Sequence, residues 1–304
     1  MIFKQQLINV LNKLPYIRGL HQENLNFRKN SLFRAGHYYS TIISVDEIKE
    51  REDEIWSKEL IDGVIGINLQ TEDQLKLVGD LNQYYAEMPF KEEKQSNLRY
   101  FFENGFYLYT DGITLYSMIR HLQPKNIIEV GSGFSSALML DTNELFFNNQ
   151  IELTFIEPYP ERLYSLMNDG DKKTVKVIED KVQFVELEYF DKLTAGDILF
   201  IDSTHVVKTG SDVNYILFEI LPRLKSGVFI HFHDVFYPFE YPREWVFKGW
   251  NWNEDYFLRA FLMYNNGFEI KLFSEYLHKH HGEIFEKMPL CYKNHGGNLW
   301  IEKK

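Results

Sequence analysis

Cysteine is almost missing from this sequence, since Cys291 is the single one in 304 residues. One cysteine cannot form an intrachain disulfide, and paired CxxC motifs of zinc or redox proteins are therefore excluded. Long apolar runs are missing too, because none reaches the roughly 18 residues of a membrane-spanning helix. The first residues, MIFKQQLINVLNKLP, contain no continuous apolar stretch with a small-residue cleavage site, so we expect no secretory signal. We therefore expect a cytoplasmic protein.

Basic residues are in deficit: 33 Lys and Arg stand against 44 Asp and Glu, which gives a formal net charge of −11. This balance argues against general binding to nucleic acid or to an anionic membrane. Hydrophobic residues make up 44% of the chain, which suits a folded protein with a sizeable core. The aromatic share of 16% suits either a deep pocket, an interface or core packing.

Short apolar runs alternate with helical patterns from about residue 98 onward. This alternation predicts an α/β fold with a mostly parallel, Rossmann-like, doubly wound sheet. The last two apolar runs follow each other without a long helix, so we expect seven strands with an antiparallel last strand. The predicted strands are Ile127–Val130, Leu153–Ile156, Val175–Ile178, Asp197–Ile201, Gly227–Phe232, Phe268–Phe273 and Asn298–Glu302.

Residues 1–97 are harder to interpret, and we expect a mainly helical N-terminal extension there. Apolar residues at helical spacing predict a first helix that ends at Pro15. The polar stretch Lys91–Lys94 suggests a domain boundary, with the sheet-bearing domain at 98–304. The extension would serve as a lid or as an oligomerisation segment, which leaves a homo-oligomer open.

The stretch IIEVGSGFSS at 127–136 predicts a strand, a glycine turn and the start of a helix. The glycines let a ligand approach the backbone N–H groups, so Gly131, Ser132 and Gly133 are candidate cofactor-binding residues. The third glycine of the dinucleotide fingerprint is missing, and Ser136 stands in its place. Acidic candidates for the same cofactor are Glu129, before the turn, and Glu157, one βαβ step later.

Polar side chains follow the next three predicted strands, where ligands bind in open α/β sheets. Gln183 lies beyond the third strand and either faces an adenine edge or is an ordinary loop residue. Asp202 and His205 follow the fourth strand, and His233 and Asp234 follow the fifth. Because these strand ends should be neighbours, we expect the two acids and two histidines to form one site.

The E-x-G-x-G pattern at 129–133 resembles motif I of the class I S-adenosylmethionine-dependent methyltransferases. The stretch DILFIDSTHVVKTGSDVNYILFEILPRLKSGVFIHFHD resembles bacterial metal-dependent O-methyltransferases of the macrocin and cephalosporin-pathway type. The resemblance implies S-adenosylmethionine as cofactor and a divalent metal, Mg²⁺ or Mn²⁺, at Asp202, His233 and Asp234. It also implies that His205 is the general base and that Gln183 contacts adenine. One departure is His233, which stands where an oxygen ligand is usual.

We therefore expect an O-methyltransferase that acts on a hydroxyl of a small molecule or sugar. An NAD-dependent oxidoreductase and a catalytically silent cofactor-binding module remain alternatives. We also expect the segment Phe236–Pro242 to form a wall over the acceptor, with packing against a helix as the alternative for its aromatic residues.

Overall fold

A computed structural model describes Leu11 and residues 14–304 of the chain. The helix predicted to end at Pro15 lies largely outside these residues. In the described part, Pro15 begins a helix, Pro15–Asn30. This position suits proline, whose missing N–H is no loss in a first helical turn.

Seven strands form one sheet in the order β3-β2-β1-β4-β5-β7-β6. All neighbours among β1 to β5 are parallel, whereas β7 runs antiparallel to both β5 and β6. The predicted fold class, with its antiparallel last strand, is confirmed. The strands are β1 Asn126–Val130, β2 Glu152–Ile156, β3 Lys176–Ile178, β4 Ile198–Ile201, β5 Phe229–His233, β6 Phe268–Phe273 and β7 Asn298–Lys303.

The central strands are the core of this sheet. Every residue of β4 is buried, and only the first residue of β1 and of β5 is partly exposed. Ile, Val, Leu and Phe make up most of these strands and are buried on both faces, as expected for parallel strands between crossover helices. The buried polar exceptions are Glu129 in β1 and His231 and His233 in β5. Because β2, β1, β4 and β5 are adjacent and parallel, their carboxyl ends lie side by side.

Twelve α-helices have both ends within the described residues. They are α1 Pro15–Asn30, α2 Val45–Glu50, α3 Glu52–Trp56, α4 Thr71–Tyr85, α5 Tyr109–Leu122, α6 Phe134–Phe147, α7 Glu161–Leu166, α8 Asp171–Thr174, α9 Asp212–Tyr215, α10 Arg243–Phe247, α11 Glu254–Leu262 and α12 Ser274–His280. A π-helical turn, Ile216–Ile220, follows α9 directly. Shorter 3₁₀ turns are Ser57–Leu60, Val182–Phe184, Leu187–Lys192, Leu221–Arg223, Gly282–Phe285 and Pro289–Lys293. None of the described helices is both long and apolar enough to cross a membrane.

The chain divides into two compact units. The first contains the described residues up to Ile55 and the segment Arg243–Asn251, and the second contains Trp56–Pro242 and Trp252–Lys304. The boundary predicted at residue 97 falls inside the second unit. Helix α4 belongs to that unit because Gln74, which is fully buried, accepts a hydrogen bond from the backbone N–H of Phe273 at 2.7 Å.

Candidate active site

The glycine turn after β1 presses directly against the end of β4. Gly131 adopts a left-handed conformation with φ of 84°, and a Cβ placed there would lie 1.7 Å from the carbonyl oxygen of Asp202. The backbone N–H of Asp202 donates to the carbonyl of Val130 at 2.9 Å. A side chain at residue 131 is therefore sterically excluded, and glycine is required for this close approach.

Glu129 lies beneath the turn and is fully buried. Its carboxyl accepts hydrogen bonds from the hydroxyls of Ser135, at 2.5 Å, and Ser136. The Ser136 hydroxyl also accepts from the N–H of Gly133 at 3.0 Å. Burial raises the pKa of Glu129 to about 8, although the two hydroxyls oppose that rise. The carboxyl thus holds the start of α6 in place from below.

A pocket of about 430 Å³ opens at the ends of β1, β2 and β4, a volume typical of small-molecule sites. Gly131, Glu157, Gln183 and Asp202 are among the residues that line it. Glu157 accepts hydrogen bonds from the backbone N–H groups of Ser132, at 3.1 Å, and Tyr159, at 2.8 Å. Gln183 donates to the carbonyl of Gly210 at 3.0 Å, while its own side-chain oxygen is buried without a hydrogen-bond partner among the described residues.

The four residues predicted at the ends of β4 and β5 form one cluster. The Oδ1 atom of Asp202 lies 3.4 Å from Nε2 of His205 and 3.4 Å from Nδ1 of His233. The Oδ2 atom of Asp234 lies 3.8 Å and 3.6 Å from the same two nitrogens. Asp202, His233 and Asp234 each offer one ligand atom, and these atoms lie within 4.8 Å of one another. These three residues could together hold a metal ion.

Two of these residues have unusual backbone conformations. His205 and Asp234 are left-handed, with φ values of 58° and 56°. Such conformations are uncommon for residues other than glycine, although Asp and His adopt them more often than most, and they concentrate at functional sites. The backbone is therefore turned so that both side chains face the cluster.

Each histidine of the cluster contacts a second carboxylate on its outer side, and neither acid was predicted from the sequence. Glu254, the first residue of α11, lies 2.9 Å from Nδ1 of His205. Asp111, in the first turn of α5, lies 3.7 Å from Nε2 of His233. In the sequence both acids occur at helix starts, where acids are common for other reasons. Only the fold brings them to the histidines.

The charges of the cluster are strongly coupled. Burial lowers the pKa of His205, but hydrogen bonds to Asp202 and Glu254 outweigh it and raise that pKa to about 10. Burial likewise opposes protonation of His233, yet the charges of Asp234 and Asp202 raise its pKa well above the ordinary value. Burial acts to raise the pKa of Asp202, and the two histidines hold it well below its ordinary value. The carboxylates therefore stabilise positive charge at the centre of the cluster. Protonated imidazoles or a cation can supply that charge.

A family model for a methyltransferase domain matches residues 128–235, which span the glycine turn, the pocket and the acid–histidine cluster. An uncharacterised protein of Archaeoglobus fulgidus is 32% identical over 186 residues, which are 60% of this chain and 84% of that protein. The chain contains a methyltransferase domain. The strand order and the antiparallel β7 of the methyltransferase agree with this assignment.

Among the solved structures that resemble the methyltransferase are two cofactor-bound methyltransferases. One is the methyltransferase PaMTH1 of Podospora anserina bound to S-adenosylhomocysteine, with 16% identity and a TM-score of 0.43 over 80% of this chain and all of that one. The other is the O-methyltransferase TomG of Streptomyces achromogenes, involved in tomaymycin synthesis, in complex with S-adenosylmethionine. It has 13% identity and a TM-score of 0.39 over 83% of this chain and 96% of that one.

The expected aromatic wall at 236–242 is wrong for its central residues. Tyr237, Phe239 and Tyr241 are buried in the methyltransferase core, with exposed fractions of 2% or less. The hydroxyl of Tyr237 donates to the carbonyl of Ile61 and accepts from the N–H of Gly63 at 2.8 Å. Alternating prolines and aromatics indicate an extended path but not which side of it is covered, so the sequence could not separate wall from core.

Proposed function

We propose that the methyltransferase transfers the methyl group of S-adenosylmethionine to a hydroxyl of a small molecule or sugar, assisted by a divalent metal. The observation that carries this proposal is Asp202, which lines the cofactor pocket and also belongs to the acid–histidine cluster. One residue thus borders both the donor and the acceptor. A methyl transfer needs this proximity because its rate depends on aligning the nucleophile with the methyl carbon.

For the cofactor, we assign Glu129, Gly131, Ser132, Gly133, Glu157 and Gln183. Glu157 would accept from ribose hydroxyls, since its carboxylate lines the pocket and is oriented by two backbone N–H groups. The unpaired side-chain oxygen of Gln183 would accept from the adenine amino group. Glu129 would act from beneath, through the serines that hold the turn.

For the metal, we assign Asp202, His233 and Asp234. The fit rests on Nδ1 of His233, which is buried without a hydrogen-bond partner among the described residues and lies close to an oxygen of each aspartate. A nitrogen in that situation is either protonated or a ligand. A divalent ion held there would act as a Lewis acid and lower the pKa of the acceptor hydroxyl.

For the general base, we assign His205. Its Nε2 faces Asp202 and Asp234, while its Nδ1 contacts Glu254 on the other side. The ring also packs against Trp252, with ring centroids 4.3 Å apart. Glu254 would hold the tautomer that leaves Nε2 free to take a proton, as an orienting acid does behind a catalytic histidine. Without a cation the carboxylates raise the pKa of His205 to about 10, and Nε2 already carries a proton. A cation on Asp202 and Asp234 would oppose that protonation and leave Nε2 able to receive the hydroxyl proton as the new C–O bond forms.

The test is methyl transfer from labelled S-adenosylmethionine to a panel of hydroxylated small molecules and sugars, with and without a chelator. We expect label on oxygen, loss of transfer with the chelator, and recovery with added divalent ions. His205→Ala should lower kcat by roughly 10²- to 10⁴-fold. The affinities for S-adenosylhomocysteine and metal should stay near those of the unmodified enzyme.

His121→Gln is the matched control, because His121 lies at the end of α5 and is absent from the pocket and the cluster. It should behave as the unmodified enzyme does. Full transfer by metal-stripped enzyme would contradict the assigned metal role. Transfer to nitrogen or carbon alone would contradict the assigned acceptor group.

A further inference from the structure

His233 differs from the other proposed ligands because it offers nitrogen rather than oxygen. Its imidazole is buried at the end of β5, with an exposed fraction of 5%. Nδ1 has no hydrogen-bond partner in the described part of the chain. The atom lies 3.4 Å from Oδ1 of Asp202 and 3.6 Å from Oδ2 of Asp234. This ring nitrogen therefore occupies one corner of the gap between the two carboxylates.

The opposite side of the same ring faces Asp111. Oδ2 of Asp111 lies 3.7 Å from Nε2 of His233, and the acid is itself buried. Oδ1 of Asp111 accepts hydrogen bonds from the side-chain amide of Asn298, at 2.8 Å, and the N–H of Gly297, at 3.1 Å. A carboxylate on one ring nitrogen favours a proton there and leaves the other nitrogen as a metal donor.

The chain leaves room for Asp111 at a specific glycine. Gly296 is left-handed with φ of 69°, and a Cβ at this position would lie 2.4 Å from Oδ1 of Asp111. Residues of α5, β5 and the loop before β7 thus combine to hold one carboxylate behind one imidazole.

We propose that the centre selects a nitrogen-accepting first-row transition ion, of the Fe²⁺, Co²⁺ or Zn²⁺ class, over Mg²⁺. This inference rests on the proposed function, whose metal residues it uses. Mg²⁺ demands oxygen ligands in near-ideal octahedral geometry and gives up water reluctantly. Imidazole nitrogen suits iron, zinc and their neighbours. Asp202 and Asp234 supply two oxygens, and His233, oriented by Asp111, supplies the nitrogen that discriminates between the two groups of ions.

The first experiment measures dissociation constants of Mg²⁺, Co²⁺ and Zn²⁺ for chelator-stripped protein without cofactor or acceptor. Almost any site that contains a nitrogen ligand prefers Zn²⁺ to Mg²⁺ to some extent. The informative quantity is therefore the ratio of the Mg²⁺ dissociation constant to that of Co²⁺ or Zn²⁺, and how each variant changes it. Asp111→Asn keeps the size of the side chain and should weaken Co²⁺ and Zn²⁺ binding by roughly 10- to 100-fold. It should leave Mg²⁺ binding nearly unchanged. His233→Glu should narrow the ratio further, because it replaces the nitrogen with oxygen.

The second experiment uses Mn²⁺ as a probe in pulsed electron paramagnetic resonance. Unmodified protein should show ¹⁴N coupling from a directly bound imidazole, and His233→Glu should lose it. His205→Gln is the matched control from the same cluster and should keep the coupling. This measurement on unmodified protein does not depend on whether the His233 variant folds.

The outcomes separate the inference from the proposed function. A ratio that falls in Asp111→Asn, together with ¹⁴N coupling that depends on His233, supports the inference. Binding with an unchanged ratio, or coupling lost in His205→Gln instead, overturns it and leaves a metal-assisted enzyme. No binding of any of these ions overturns the inference together with the metal part of the proposed function.

Discussion

The backbones of Gly131 and Asp202 meet so closely that no other residue fits at position 131. The carbonyl oxygen of Asp202 occupies the space that a Cβ on Gly131 would need, at a separation of 1.7 Å. Gly131 belongs to the cofactor turn, and Asp202 carries a proposed metal ligand. In the proposed function, this contact ties the position of the donor to the position of the acceptor.

Gly131→Ala should disturb both halves of the site at once. A Cβ in that space must move the end of β4 or the turn, at a cost of roughly 1–3 kcal/mol or more in the free energy of unfolding. We expect calorimetry to show weaker binding of both S-adenosylhomocysteine and metal. Gly170→Ala is the matched control, since nothing lies within 4 Å of the place its Cβ would take and its φ of −68° suits alanine. Loss of cofactor affinity with unchanged metal affinity would contradict the coupling.

Glu254→Gln should lower kcat and leave the affinity for S-adenosylhomocysteine unchanged. The amide keeps the size of the side chain but no longer favours the Nδ1–H tautomer of His205 through a carboxylate. The acceptor KM should change little, because Glu254 lies behind the histidine. Glu254→Asp, which retains the carboxylate, should recover part of the rate. Equal losses in the Gln and Asp variants would instead indicate a packing role at the start of α11.

The sheet and the residues at strand ends could be predicted from the sequence because both follow from local patterns. Continuous apolar runs marked the strands, and Asp202, His205, His233 and Asp234 lie just beyond two of those runs. Asp111 and Glu254 could not be predicted, because each reaches its histidine from a helix that is distant in the sequence. The buried position of Tyr237 depends on packing, which an extended, proline-containing segment does not reveal.

Arg99→Met should destabilise the fold by about 3–5 kcal/mol, because it leaves buried acids without their partner. Arg99 is 6% exposed and forms ion pairs with Asp141 at 2.6 Å and Asp171 at 2.7 Å. Chemical denaturation would measure the change. Arg223→Met is the control, since its pair with Asp191 lies at the surface and should matter far less. Similar losses of unfolding free energy in both variants would contradict a larger contribution from the buried ion pairs.

Glu129 should make stability fall as the pH rises. Burial raises its pKa from the ordinary 4.5 to about 8, so the folded protein holds a proton that the unfolded chain releases between these values. The free energy of unfolding should therefore decrease through that window, by up to about 1.4 kcal/mol per pH unit from this group. Glu129→Gln cannot ionise, so its free energy of unfolding should lack this pH-dependent contribution. The measurement is chemical denaturation of both proteins in the presence of a chelator, at pH values from about 5 to 8.5. Parallel curves for the two proteins would contradict the raised pKa.

The most direct test of the account is calorimetry of the protein with S-adenosylhomocysteine and, separately, with NAD⁺. We predict binding of S-adenosylhomocysteine and no measurable binding of NAD⁺. Glu157→Ala should weaken the former by about 1.5–3 kcal/mol, the usual contribution of hydrogen bonds to a charged acceptor. Glu161→Ala, an exposed acid at the start of α7, is the control and should leave the affinity unchanged. Binding of NAD⁺ in preference to S-adenosylhomocysteine, or full affinity in Glu157→Ala, would contradict the account.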